Sequence, residues 1–566
     1  MKRILVMGAL ALFVFSGSAQ AFHGNGMAGN VRAKGRAYTY FLSGYLSYRE
    51  GNLDEALEMY QKALRFEENE PAILYEIGNV YVKKGKLAEA REALEKALSI
   101  DDGHARSRYL LAGILATTGE KDKAAELYRR TLSEDPENEE VYVHLATLSV
   151  EKGDLAKAGE YLDALIAKNP ESALGYYYRG RLLAAQRKLP EALMDFDKAI
   201  SLQPYFASAM VDSGGVLEMM GKIPDAEERY KKALEISPYN LPVRERLGRV
   251  LILENKIEQA VDQYEELKKF SSDNLEFRTR LGILYLERDR FEDAINEFRF
   301  VLSAQPENHN VRFFLGTTYE EKGMLPEAEE QFRGIPETSQ VYRDAMLHLA
   351  MTLGRKKKLD ESIDVTRKLR VKYPEDVALM VFLGGQLEEA GKYEEAVGVL
   401  NEAAAKDPKS ASARFSLGVV YDKMGNFEKM VESIQKAIEI DPKNAVALNY
   451  LGYTYADRNV KLKEAEALIL RALEIRPSDG FFIDSLAWVY YRQGDLPRAE
   501  AELRRALTFV PDDPVVLEHL GDVLVSQGKG KEASALFEKA IAKGHEKPEE
   551  IRNKISRVKK EDPTPK

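Results

Sequence analysis

Two stretches 340 residues apart carry the same order of residues: "ILYEIGNVYVKKGKLAEAREALEKALSIDD" (73–102) and "ARFSLGVVYDKMGNFEKMVESIQKAIEIDP" (413–442). The likeness comes from a period. Windows of 34 residues begun at residue 37 keep their frame as far as residue 444, take one extra residue near Asn459–Lys463, and resume at residue 480 until about residue 547. That makes fifteen windows. A fixed period of this length marks a repeat array, in which each unit is too small to bury its own apolar face and is completed by its neighbours. A single core is ruled out by length as well, since cores stop growing near ~250–300 residues.

The places inside the window have physical roles. The eighth is always Gly or Ala: Gly44, Gly78, Ala112, Ala146, Gly180, Gly214, Gly248, Gly282, Gly316, Ala350, Gly384, Gly418, Gly452, Ala487 and Gly521. The twentieth is Ala in thirteen of fifteen windows, with Ser362 and Met430 as the exceptions. Small residues at these two places let two amphipathic helices approach where a larger side chain would overpack. Gly or Asn near the fifteenth place suits the left-handed end of the first helix. Boundaries such as Asp135-Pro136, Asp407-Pro408 and Asp441-Pro442 stop the second helix.

This succession of small, aromatic, Gly, Ala and Pro places resembles the tetratricopeptide repeat over nearly the whole chain. The resemblance implies an all-α fold: an α-solenoid of about fifteen helix-turn-helix repeats, wound as a right-handed superhelix with a concave groove. Three departures are expected to show. "RGIPETSQ" (333–340) should end the ninth window's second helix early, at Pro336. The tenth window, with Ser362 and "GRKKKLD" (354–360), matches poorly, and "DRNVKLKEA" (457–465) lengthens one turn. A hinge near 333–345 would divide the array into repeats 1–9 (37–342) and repeats 10–15 (343–547).

The ends read differently. Lys2 and Arg3 precede an apolar run from Ile4 to Phe15, and "SGSAQA" ends in Ala19-Gln20-Ala21. This is the pattern of a secretory signal peptide spanning 1–21, its apolar run too short to span a membrane comfortably. Its removal would take the formal net charge from −10 to −12. Residues 22–36 are glycine-rich and expected as a flexible linker. Residues 548–566 place Ile551, Ile555 and Val558 on one helical face, the signature of a capping helix with a loose tail. With no cysteine in the chain, neither a disulfide nor a lipid-bearing thiol is available. The expected address is therefore a bacterial periplasm, with no direct lipid anchor.

No catalytic constellation is visible. The seven histidines (23, 104, 144, 309, 348, 519, 545) never fall within five residues of each other, and no HExxH, GxSxG, Walker loop or GxGxxG element occurs. Acid pairs such as those at 67–68 and 329–330 lie on repeat helices, where a solvated face is the default. The expectation is a non-enzyme without catalytic residues, metal or cofactor. A net charge of −10 argues against nucleic acid, whose phosphates call for clustered Lys and Arg. Protein or peptide partners remain; the oligomeric state is left open.

Helix periodicity selects a candidate surface. In "DSLAWVYYRQGD" (484–495), Asp484, Trp488 and Tyr491 share one face at i, i+4 and i+7, while Ile483, Leu486, Ala487 and Tyr490 share the core face. In tetratricopeptide arrays the second, fifth, ninth and twelfth places look into the groove. Here they give Tyr38, Phe41, Tyr45, Tyr48, Tyr75, Asn79, Tyr109, Tyr177, Arg181, Arg249, Phe313, Phe415, Asn449, Tyr453, Asp484, Trp488 and Tyr491. Rings on a polar face supply contact area at low entropic cost; the same rings could equally pad the contact between adjacent first helices. Trp488 is expected as a groove contact, so its replacement by alanine should lower stability little while weakening partner capture by ~2 kcal/mol or more. Were it core, the change would cost ~3–5 kcal/mol of stability. The Lys-and-Asn clamp by which some such repeats hold a terminal carboxylate is not matched. Residues 448–495 also resemble the C-terminal half of exported Gram-negative tetratricopeptide proteins, including adaptors of carboxyl-terminal processing proteases, although the lipid-carrying cysteine is absent. The function this implies is a non-catalytic periplasmic scaffold or adaptor. Two alternatives stand beside it: a docking component of a polysaccharide-export or outer-membrane assembly, and a glycan-binding module.

Overall fold

The computed structural model describes residues 27–561; the expected signal at 1–21 and the last tail residues lie outside the described residues. Among the described residues there are 31 α-helices and no strand. From Leu53 onward they alternate as the period requires, most first helices spanning 13 residues and most second helices 14. This is an α-solenoid. It divides into two compact units between Asn274 and Leu275.

Each turn of the array has the same cause. The fifteenth place is left-handed in every repeat: glycine in ten, as at Gly85 (φ +71°) and Gly425 (φ +73°), and otherwise residues such as Asn255 (φ 58°) and Lys357 (φ 59°). The proline boundary works with a cap that follows it. Asn138, Ser172, Asn308 and Ser410 each accept a hydrogen bond from a backbone N–H in the first turn of the next helix, satisfying a donor that the helix cannot.

The eighth place is a close-approach site. A Cβ added to Gly282 would lie 2.5 Å from Phe298 Cε1, and one added to Gly316 would lie 2.6 Å from Phe332 Cε1. Both rings are fully buried. Glycine here lets an aromatic from the second helix seat against the backbone of the first.

The departures from the pattern have local explanations. The ninth repeat's second helix, Leu325–Arg333, is 9 residues long and ends three residues before Pro336. Ser362, in place of the usual alanine, is buried; its hydroxyl donates to the Ala350 carbonyl (2.5 Å) and accepts from the Gln386 amide (2.6 Å). The extra residue after Asp457 is taken up by two left-handed residues, Asn459 and Lys461. At the N-terminus the expected linker is helical from Met27, as part of Met27–Arg49. The run 27–36 holds no proline, and Thr39 Oγ1 donates to the Gly35 carbonyl within this helix.

At the other end, helix Pro548–Glu561 covers the last repeat, with Ile551, Ile555 and Val558 buried. They belong to one apolar cluster with Val523 and Phe537.

Candidate partner-binding surface

Within each unit the first helices of successive repeats meet directly, as Glu139–Glu151 meets Ala173–Ala185 and Ala445–Asp457 meets Gly480–Gln493. Second helices pack on the first helix that follows, and no two successive second helices meet to the same extent. A stack whose neighbours are closer on one side curves toward that side. The first helices therefore line the inner face of each unit.

The seventeen residues read from the sequence sort by exposure. Tyr45, Arg181 and Arg249 are exposed; Tyr177 and Asp484 are buried; the other twelve are half-buried. The buried pair, and several of the half-buried rings, are engaged across the gap between first helices. The partner sits thirty-five residues on, at the sixth place of the next repeat. Tyr177 donates its hydroxyl to Asp212 Oδ2 (3.0 Å). The Tyr109 hydroxyl lies 3.0 Å from His144 Nε2 and donates to Glu140 Oε2 at 2.7 Å. The Phe313 ring stands edge-on to His348 with centroids 5.4 Å apart. Asp484 meets His519. The sixth place was missed from sequence, although His144, His348 and His519 all occupy it.

One place thus holds histidines in two electrostatic settings. Burial pushes His144 below the ordinary imidazole value, against the weaker pull of Glu140. Burial is the strongest single influence on His519 and acts in the same direction, but the Asp484 carboxylate in direct contact, together with Glu518 and Asp522 nearby, outweighs it and holds His519 above that value. The pairing thus favours the protonated form of His519, and Trp488 stacks on the ring with centroids 4.3 Å apart.

Around this stack lies a linked set of polar groups. Tyr491 packs on Trp488 (4.9 Å) and its hydroxyl reaches Ser526 Oγ (3.3 Å). Burial, with Asp457, Asp484 and Glu518 near it, pushes the Tyr453 phenol up to about 12. Lys554 of the capping helix donates to Glu518 Oε1 (2.6 Å) and Asp522 Oδ2 (2.5 Å), and His545 Nε2 lies 2.9 Å from Glu518 Oε2. Trp488 also packs against the core cluster, and its buried Nε1 has no partner within the protein, nor does Asn449 Oδ1. The lone tryptophan thus lies on the inner face and rests on the core at once.

In the first unit the inner face is more open. Lys83 Nζ lies 5.1 Å over the Tyr48 ring, and the Arg181 guanidinium lies 5.7 Å over both Tyr177 and Tyr178. Tyr75 contacts the His104 ring at 6.0 Å and Phe41 contacts Tyr60 at 5.5 Å. Arg249 reaches Glu218 at 3.9 Å. Phe415 stands edge-on to Tyr450 at 5.7 Å in the second unit. Among the described residues no group of three or more His, Cys, Asp or Glu is placed to hold a metal ion, and no helix is long and apolar enough to cross a membrane.

A stack of helix pairs whose inner faces carry rings and paired charges is a repeat scaffold of the tetratricopeptide kind. Family models described as tetratricopeptide repeat or TPR repeat match residues 44–85, 75–139, 115–181, 279–341, 344–376, 384–425, 411–444, 433–467 and 485–550, together more than half of the chain. The chain belongs to the tetratricopeptide-repeat family, whose arrays are protein–protein interaction scaffolds. Among curated proteins it is similar to the "TPR repeat-containing protein PA4667" of Pseudomonas aeruginosa, 48% identical over 44 residues; the match spans 8% of this chain and 8% of that relative's length. Solved structures with a likeness include a tetratricopeptide repeat protein from Parabacteroides merdae (18% identity, TM-score 0.38, 44% of this chain and 98% of that one). Others are the APC/C hetero-tetramer Cut9–Hcn1 (16%, 0.37, 92% and 96%) and yeast Tom70 (15%, 0.37, 93% and 96%). Likenesses at these scores place no partner on this chain.

Proposed function

We propose that this chain is a non-catalytic exported scaffold that holds segments of a partner protein against the inner faces of its first helices. The observation that carries the reading is the Trp488–Tyr491 ring pair, centroids 4.9 Å apart and half-buried on the inner face of the second unit, with Tyr453 half-buried at the place in the preceding repeat that matches Trp488. Rigid rings supported from behind by core packing are what high-affinity contacts are made of. The family's role as an interaction scaffold supports protein as the partner class, and the leader-like residues 1–21 support a periplasmic address.

The test is capture of partners by the full chain and by Tyr491→Ala, a change at the rim of the group. Loss of ~2 kcal/mol or more in affinity with little change in thermal midpoint supports the reading. Undiminished capture, or saturable glycan binding with no protein partner, contradicts it.

A further inference from the structure

The two ends of the array are finished differently. The tenth place is buried in all fourteen repeats after the first, from Val80 through Thr352 to Val523. Val80 is buried in one cluster with Ala56, Tyr60 and Ala63 of the preceding second helix, joined by Ala93 of its own repeat. Each tenth-place residue of this kind is thus a seat for a helix. Among the described residues the first repeat has the seat without the helix: Leu46, its tenth-place residue, is 60% exposed, and on the same face Leu42 is 37% and Tyr45 41% exposed. The spacing i, i+3, i+4 aligns these three in one row. The neighbouring Thr39 and Ser43 turn their hydroxyls onto carbonyls of their own helix, so they do not compete for a ligand.

Charge narrows the occupant. Helix Met27–Arg49 carries Arg32, Lys34, Arg36 and Arg49 and no acidic residue, in a chain of formal net charge −10. All four are exposed. Within its own helix the row has only cations for charged company, with Arg49 one turn beyond Tyr45 and Leu46 and Glu50 following the helix end; such a row complements an apolar stripe carrying carboxylates.

We infer that the outer edge of the first repeat is a docking site for an acidic amphipathic helix of a partner protein, seated where a preceding repeat's second helix would lie. A lipid surface is disfavoured by the shape of the seat, which the same fold fills with a helix at Val80. A second copy is disfavoured by the cations that both edges would bring together. Leu42 and Leu46 lie outside the inner-face set, and Tyr45 is the one residue the two surfaces share.

The experiment uses the full chain and a labelled, helix-stapled peptide copying residues 87–100. That is the second helix whose Ala90 and Leu94 cluster with the tenth-place Ile114; in the probe its Arg91 and Lys96 are replaced by glutamate. Saturable binding that weakens as salt rises, and falls tenfold or more in both Leu46→Asp and Arg49→Glu, is the expected result. Thermal midpoints are read alongside, and Leu42→Gln serves as a second apolar variant should Leu46→Asp misfold. Binding no tighter than that of a scrambled peptide overturns the inference, as does binding unaffected by these variants. It is equally overturned if the variants abolish self-association in sedimentation, or attachment to phosphatidylglycerol vesicles, while the peptide fails to bind.

Discussion

His519 and Asp484 face each other across two successive first helices, with Nδ1 2.8 Å from Oδ1 and 3.1 Å from Oδ2, both side chains buried. Removing one partner of a buried pair strands the other charge, which costs ~3–5 kcal/mol. Asp484→Asn is therefore expected to destabilise the C-terminal repeats by about 3 kcal/mol. Amide hydrogen exchange in helix Pro514–Ser526 reads this locally. That suits a repeat array, whose unfolding need not be all-or-none.

The same pair makes stability depend on pH with a definite sign. His519 is held above its unfolded value of ~6.5. Its contribution is fully present below that value and is lost as pH rises through the raised folded value. Trp488, the only tryptophan in the chain, stacks on this ring, and a protonated imidazole quenches indole emission by accepting charge from its excited state. Emission should rise as alkali deprotonates His519, and in Asp484→Asn the rise should move to lower pH. A flat profile in the native chain contradicts the pairing.

Acid acts through other groups. Lys529 (2.7 Å) and Arg504 (2.9 Å) hold Glu500 down at about 2, against the effect of burial. This contribution is present above the unfolded value of ~4.3 and is lost as pH falls through about 2. Glu500→Gln should flatten the acid limb of a thermal-midpoint profile between about pH 4 and 2. An unchanged acid limb counts against this assignment.

Gly282→Ala tests the close approach. Alanine gains up to ~1 kcal/mol in helix propensity, but its Cβ would lie 2.5 Å from Phe298, and overpacking costs ~1–3 kcal/mol. The clash is expected to win, for a net loss of about 1 kcal/mol in chemical denaturation. Phe298→Leu added to it should recover part of that loss, since the two sites are in contact and do not add.

Much of this fold is legible in the sequence because a repeat states each rule many times. Gly282 alone says little; glycine or alanine at the eighth place of every window fixes a helix contact. The same redundancy locates the inner face, where Trp488 and Tyr491 belong. It does not say which inner side chains are spent on the array itself. Tyr177 and Asp484 read as surface by periodicity, yet Asp212 and His519 bury them from a helix thirty-five residues away. That contact depends on how closely two first helices meet, which no single window encodes. The first ten residues of helix Met27–Arg49 were hidden for a different reason: their glycines signal a linker, while neighbouring Ala, Arg and Lys allow a helix.

The most direct test of scaffold function through the inner face is photo-crosslinking in cells, with the full chain carrying a benzophenone side chain at one position. Tyr491 reports on the inner face, and Glu538, exposed on the second helix Gly530–Ala542, reports on the other side. A discrete crosslinked protein from Tyr491 and none from Glu538 is the predicted result. Crosslinks from Glu538 alone, or equally from both positions, would contradict it.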